Sequence, residues 1–257
     1  MPDLTAGGIR FHYVAAPAAP ERPAIVFLHG AGANHTIWLG QMKALRSRAR
    51  VVLPDLPAHG KSEPIPGVTI DEYARALAPF LEAQVGGPCV LAGHSMGGAI
   101  ALCLALARPE LVSGLVLVGT GARLRVSPEI LEGLRVSPAE TQGLVARAQF
   151  TDRADPAMIL RTVRDLAGTP AERTLADFKA CNDYDLREEV GRIDVPALVL
   201  VGNEDRMTPV KSSAFLAERM PRATLVVVDG VGHAIMIEES ERVSQEIAAF
   251  LARWDPA

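Results

Sequence analysis

Cysteine is scarce in this chain: 257 residues hold three, Cys89, Cys103 and Cys181. An odd number at wide spacing excludes a disulfide framework and a CxxC metal clip. Cys89 and Cys103 fall in apolar runs and read as core filler. Positive charge is not in excess either, with 26 Lys and Arg against 30 Asp and Glu and a formal net charge of -4. The electrostatic footprint of a nucleic-acid binder is therefore missing, and a small neutral substrate is the natural partner. Long apolar runs are also absent. The most apolar stretch, 99–107, is far short of the roughly 20 residues that span a bilayer, which excludes a membrane anchor. The opening residues Met1-Pro2-Asp3-Leu4-Thr5 show no basic segment followed by an apolar run, so no secretory signal is read and a cytoplasmic location is expected. What remains is ordinary globular composition, 49% hydrophobic and 22% charged, at a length that suits one large domain with a small insertion.

Six short apolar runs, 24–28, 51–53, 89–92, 115–118, 197–201 and 224–228, read as strands. Their near-continuous hydrophobicity predicts that both faces are covered. Helical periods lie between them. Residues 70–85 open with Asp71 and Glu72 and stop at Gly86-Gly87; 95–107 stop at Arg108-Pro109, 210–220 stop at Pro221, and 238–254 end the pattern. Strands alternating with helices imply the α/β class: a mostly parallel central sheet flanked by helices. Residues 15–20 read as a loop.

The pattern changes over 123–192. Strand-like runs disappear, charge rises, and Pro128, Pro138, Pro156, Gly168 and Pro170 punctuate helix-forming segments in which Ile159, Leu160, Val163 and Leu166 fall at helical spacing. This is expected to be an inserted helical cap over a site. The core domain is then residues 1–122 and 193–257.

The chemistry is expected at the corner Gly93-His94-Ser95-Met96-Gly97-Gly98, between a strand and a helix. A serine there sits in a strained turn that lifts its hydroxyl clear of the sheet, and flanking glycines keep the turn from clashing. Serine is a weak nucleophile at neutral pH and needs a base oriented by a carboxylate. Of six histidines, His233 follows the last strand. His12 lies in an early extended segment, His35 and His59 on early loops, and His94 beside the serine. Asp205 follows the strand 197–201 and fits the order serine, acid, histidine. Its competitors are Glu204, which would point elsewhere, and Asp229, too near the final strand; the corner after 115–118 reads Gly119-Thr120 and offers no acid. Backbone N–H groups of Met96 and of Ala31, in His29-Gly30-Ala31-Gly32, are the expected oxyanion donors.

These residues resemble the α/β-hydrolase superfamily, in particular its capped, carboxylesterase-like serine hydrolases. The matching segments run in order over nearly the whole chain: His29-Gly30-Ala31-Gly32, Asp55-Leu56-Pro57-Ala58-His59-Gly60-Lys61-Ser62, the Ser95 corner, Val195-Pro196-Ala197-Leu198-Val199 leading to Gly202-Asn203-Glu204-Asp205, and Gly232-His233. One departure is Ala58, where such families usually have glycine. The resemblance implies cofactor-free, metal-free ester cleavage through an acyl-enzyme, with a structural role for the segment from Asp55, His59 included.

Several chemistries share this frame. Dehalogenases and epoxide hydrolases carry aspartate where this chain has Ser95, and carbon-carbon bond hydrolases tend to carry asparagine where it has His94. A lactonase or carbon-carbon hydrolase is the alternative, and a receptor-like homologue without turnover lies further off. His35, Trp38, Phe150, Phe178, Tyr184, Met207 and Met236 are the candidate substrate contacts. A pocket rich in flexible, apolar methionine would suit a modest acyl or aryl group and be tolerant.

Overall fold

The alternation of strand and helix closes into one eight-stranded sheet in the computed structural model, which describes residues 2–16 and 23–253. The strands are β1 (Asp3–Ala6), β2 (Ile9–Ala15), β3 (Ala24–Leu28), β4 (Arg50–Pro54), β5 (Cys89–His94), β6 (Val112–Val118), β7 (Ala197–Gly202) and β8 (Ala223–Val228). The helices are α1 (Leu39–Leu45), α2 (Ile70–Val85), α3 (Met96–Ala107), α4 (Pro128–Val136), α5 (Pro138–Ala148), α6 (Pro156–Ala167), α7 (Ala171–Asp183), α8 (Val210–Arg219), α9 (Ile235–Glu238) and α10 (Ser240–Arg253). Strand order is β1-β2-β4-β3-β5-β6-β7-β8; β1 and β2 are antiparallel to their neighbours, and β4 through β8 are parallel. The expected α/β class is what forms. No helix among the described residues is long and apolar enough to cross a membrane.

Each central strand feeds two cores. In β3, Val26 and Leu28 pack with Tyr73, Leu77 and Leu81 of α2 and with α3, whereas Ile25 and Phe27 pack on the opposite face with Trp38, Leu45, Val243 and Ile247. That is why the strand sequences lack a polar phase. Cys89 and Cys103 are buried and unpaired. Of the expected strands, β8 departs from full burial: it is an edge strand, with Val227 41% exposed. The extended segment around His12 is strand β2, whose residues mix apolar and polar and gave no continuous run.

Helix boundaries follow local chemistry. Thr69 caps α2 by accepting the Glu72 N–H, and Gly86 ends it at φ +77°. Between β6 and β7 the prolines mark helix starts: Pro128, Pro138 and Pro156 occupy the first turns of α4, α5 and α6, where a missing N–H costs nothing, and Pro170 precedes α7. These four helices enclose a small cluster of their own, including Leu134, Val145, Leu166 and Phe178, against which Ala31 and Met207 also pack. The expected final helix is split into α9 and α10 around Glu239; Trp254 and most of the loop 15–20 lie outside the described residues. Ala58 adopts φ +65°, so the turn forms with alanine in the left-handed region that glycine enters more easily.

The helix expected from Ser95 starts one residue later, because Ser95 has φ +52° and ψ -115°. Two glycines permit that corner. A Cβ on Gly93 would lie 2.3 Å from the Gly97 carbonyl, and one on Gly97 would lie 2.3 Å from the Leu28 carbonyl oxygen. The first turn of α3 thus rests directly on the ends of β5 and β3. Gly97→Ala is expected to destabilise the protein by about 3 kcal/mol, since the obstacle is backbone and cannot rotate away. Urea unfolding measures this, and a loss below about 1 kcal/mol would show the corner to be slack.

Candidate active site

Four parallel strands deliver the site. The loops leaving β3, β5, β7 and β8 carry Gly30 and Ala31, Ser95, Asp205 and His233, all beyond the carboxyl ends of their strands. His233 Nδ1–H donates to Asp205 Oδ2 at 2.8 Å, with His233 2% and Asp205 5% exposed. Asp205 is fixed on both oxygens: Met207 N–H and Thr208 N–H donate to Oδ1 at 2.9 and 2.8 Å, and the Thr208 hydroxyl donates to Oδ2 at 2.8 Å. Burial by itself would raise the Asp205 pKa. The adjacent His233 and the donors of Thr208 outweigh it and hold the carboxyl below its ordinary value. Thr208, which no local sequence signal singles out, is therefore part of the arrangement; its hydroxyl also lies 3.2 Å from His233 Nδ1.

The competing acids go elsewhere. Glu204 pairs with Arg153, and Asp229 accepts from the Asn203 side chain. Gly119 lies flat under the pair, where a Cβ would come 3.2 Å from His233 Nδ1 and 3.4 Å from Asp205 Oδ2. Beside it, the Thr120 hydroxyl donates to the Ser95 carbonyl at 2.8 Å and braces the corner.

Ser95 and His233 line one cavity of about 60 Å³, together with Gly30, Ala31, His94, Phe178 and Met207. Met96 begins α3, so its N–H has no acceptor within the helix. Of the candidate substrate contacts, Phe178 and Met207 line this cavity and five do not. Trp38 is core: its Nε1–H donates to the Leu28 carbonyl and its ring packs 4.9 Å from Phe27. His35 is turned to Asp55, donating to Oδ1 at 2.7 Å. Met236 is buried on the α10 side of the sheet and Tyr184 in the core on the other side. Phe150 is buried behind Gln149, which lines the cavity and whose carbonyl accepts from Ala234 N–H. Of the two methionines among these expected contacts, one, Met207, reaches the cavity.

Two buried histidines brace the loops. His94 Nε2–H donates to the His233 carbonyl at 3.1 Å, and the two rings lie 4.5 Å apart. Burial first, and the neighbouring His233 second, press the His94 pKa well below its ordinary value. His29 accepts the Leu56 N–H at Nε2 and donates from Nδ1 to the Gly30 carbonyl, each at 2.9 Å. A ring with one accepting nitrogen must be neutral, and burial with the nearby His59 lowers its pKa to about 3.

The loop His29-Gly30-Ala31-Gly32 is also tied to α7. Asp177, fully buried, accepts from Gly32 N–H at 2.9 Å, His59 Nε2–H at 2.7 Å and the Tyr73 hydroxyl at 2.6 Å. The Thr169 hydroxyl donates to the Gly32 carbonyl at 2.7 Å. Burial would raise the Asp177 pKa, but His59 and the other donors prevail and keep it below the ordinary value. No sequence signal pointed to Asp177, because its partners are 104 to 145 residues away.

Residues 25–246 match the model of the alpha/beta hydrolase family, to which this chain belongs. Among its relatives is a dihydrolipoyllysine-residue acetyltransferase component of an acetoin cleaving system from Pseudomonas putida, 32% identical over 89% of this chain; the chain spans 63% of that protein. Another is 3-oxoadipate enol-lactonase 1 from Acinetobacter baylyi, 28% identical over 90% of both chains. A solved thermophilic esterase superposes with a TM-score of 0.87 at 32% identity, over 98% of this chain and 97% of its own.

Neutral, buried His29 makes stability depend on pH with a definite sign. Its ordinary pKa is 6.5 and its folded value about 3, so between these the unfolded chain binds a proton that the folded one does not. The stabilisation is complete above 6.5 and is lost as pH falls. From about pH 7 to about pH 5, His29 alone is expected to cost about 2 kcal/mol, and His94 adds to the same slope. The lowered carboxylates Asp55, Asp177 and Asp205 do not contribute until pH nears their ordinary 3.8. Urea unfolding at the two pH values tests this; equal stability at both would refute it.

Proposed function

We propose that the protein is a serine hydrolase that cleaves a carboxylic ester of a small molecule through an acyl-enzyme. The observation that carries this reading is the buried His233–Asp205 hydrogen bond at 2.8 Å, in loops facing the same cavity as the strained Ser95 corner. Ser95 attacks the ester carbonyl while His233 takes its proton through Nε2 and returns it to the departing alkoxide. Asp205 fixes the tautomer with the proton on Nδ1 and stabilises the imidazolium that forms. Water, deprotonated by His233, then releases the acid. The N–H groups of Ala31 and Met96 serve the developing oxyanion, at about 2.7 to 4 kcal/mol for each donor lost in such sites. In this reading α4 to α7 are the cap, and the Asp177 contacts set the Ala31 loop against it.

Similarity to an esterase and an enol-lactonase supports an ester-type bond. Opening a lactone needs the same groups, and the enol-lactonase relative makes that the second reading. Ser95→Ala and Asp205→Asn test the first. The Ser95 variant is expected to lose all p-nitrophenyl acetate hydrolysis above background and all labelling by a fluorophosphonate, and the Asp205 variant about 10³ to 10⁴-fold in kcat. Labelling that persists without Ser95 would reject the assignment.

The cavity at Ser95, about 60 Å³, is far smaller than the several hundred Å³ of ordinary ligand pockets. An apolar acyl chain must therefore be short. A series of p-nitrophenyl esters is expected to show kcat/KM about tenfold or more higher for acetate and propionate than for octanoate; a maximum at octanoate would contradict the small cavity.

A further inference from the structure

If Ser95 is the nucleophile, a cavity of about 60 Å³ holds the reacting ester group and little more, so the rest of the substrate must extend elsewhere. Beside it lies a cavity of about 530 Å³ between the chain leaving β6 and the start of α8. The two share a wall of three residues, Arg125, Met207 and Thr208. Thr208 is the residue that binds Asp205 and approaches His233, which sets this wall directly against the reacting groups.

The larger cavity is lined by four cations, Arg123, Arg125, Arg187 and Lys211, and by no carboxylate. This is a local inversion in a chain whose acidic residues outnumber its basic ones by 30 to 26. Asp185 serves both Arg187, at 2.7 Å, and Arg123, at 3.4 Å. Arg125 and Lys211 have no side-chain hydrogen bond or ion pair among the described residues. In the smaller cavity the acid is Asp165, already engaged by Thr36 and by Arg161. Arg125, on the shared wall, and Lys211, in the larger cavity alone, are both solvent-exposed, and together they favour a negative charge there, by an amount that grows as the substrate excludes water.

We propose that this second cavity receives the anionic end of the substrate, so that the preferred ester carries a carboxylate or phosphate at the end remote from the scissile bond. The reacting carbonyl sits at Ser95, the connecting chain passes Met207 and Thr208, and Arg125 and Lys211 hold the anion. A guanidinium offers paired donors that match either group. The inference rests on Ser95 as the nucleophile and adds to it the charge of the substrate.

The test compares monomethyl adipate with methyl heptanoate, a neutral ester of matched length, and repeats the comparison with a phosphate-ended ester. At low salt the wild type is expected to favour an anionic member by tenfold or more in kcat/KM, equivalent to about 1.4 kcal/mol. The ratio should shrink in about 1 M NaCl, where the Debye length is near 3 Å. It should approach one in the Arg125→Ala/Lys211→Ala double variant and fall below one in Arg125→Glu/Lys211→Glu. The larger of the carboxylate and phosphate ratios identifies the tail. A wild-type ratio near one, or a ratio that survives charge reversal, overturns the proposal while leaving the serine mechanism intact. Calorimetric titration with adipate reads the site without turnover. Binding to wild type that is lost in the charge-reversed variant supports the site even if neither ester is cleaved and only the serine reading fails; no binding to wild type overturns it.

Discussion

The Ser95 corner exists because backbone meets backbone where side chains would normally intervene. Gly97 sits against the carbonyl of Leu28 and Gly93 against the carbonyl of Gly97, which locks the start of α3 to the ends of two central strands. With no room to relax, Ser95 stays at φ +52°. The strain is borne by the two apolar cores on either face of the sheet, and it raises the serine above the strand ends while its carbonyl is held by Thr120. A corner that relaxed toward an ordinary helix start would lower the side chain and reduce its access to the cavity.

Around that corner, buried polar groups are satisfied almost entirely by one another. Asp205 takes two N–H groups, a hydroxyl and an imidazole; Asp177 takes an N–H, an imidazole and a phenol. Each carboxylate would be costly to bury alone, and each remains ionised because its donors more than offset desolvation. The two networks hold different loops. Asp205 orients His233, and Asp177 ties the Ala31 loop to α7, so the expected base and the expected oxyanion donor are positioned by independent anchors.

The four helices between β6 and β7 shape the space that these loops surround. Phe178, Leu166 and Val145 close the cavity over Ser95 until it is small, and the chain leaving β6 brings Arg125 to its edge. In the proposed reading, chemistry comes from the strand ends and selection from the excursion, which would separate the part of the molecule that breaks a bond from the part that chooses it.

The amino-acid sequence alone determined the class of fold, since six apolar runs without a polar phase can be buried only in a sheet covered on both sides. It also determined the order of the loops bearing Ser95, Asp205 and His233, because strand ends are visible in one dimension. It left the edge strand β1 unread and showed β2 only as an extended segment around His12, because strands that mix apolar and polar residues carry no strong period. It misplaced Trp38, His35, Phe150, Tyr184 and Met236, because a large side chain near a site in sequence is as easily turned into the core. Asp177, Thr208 and the cation-lined wall were decided by tertiary structure alone. Each acquires its meaning from partners that only folding brings within hydrogen-bond distance or into one cavity, and no local pattern in the chain encodes such a meeting.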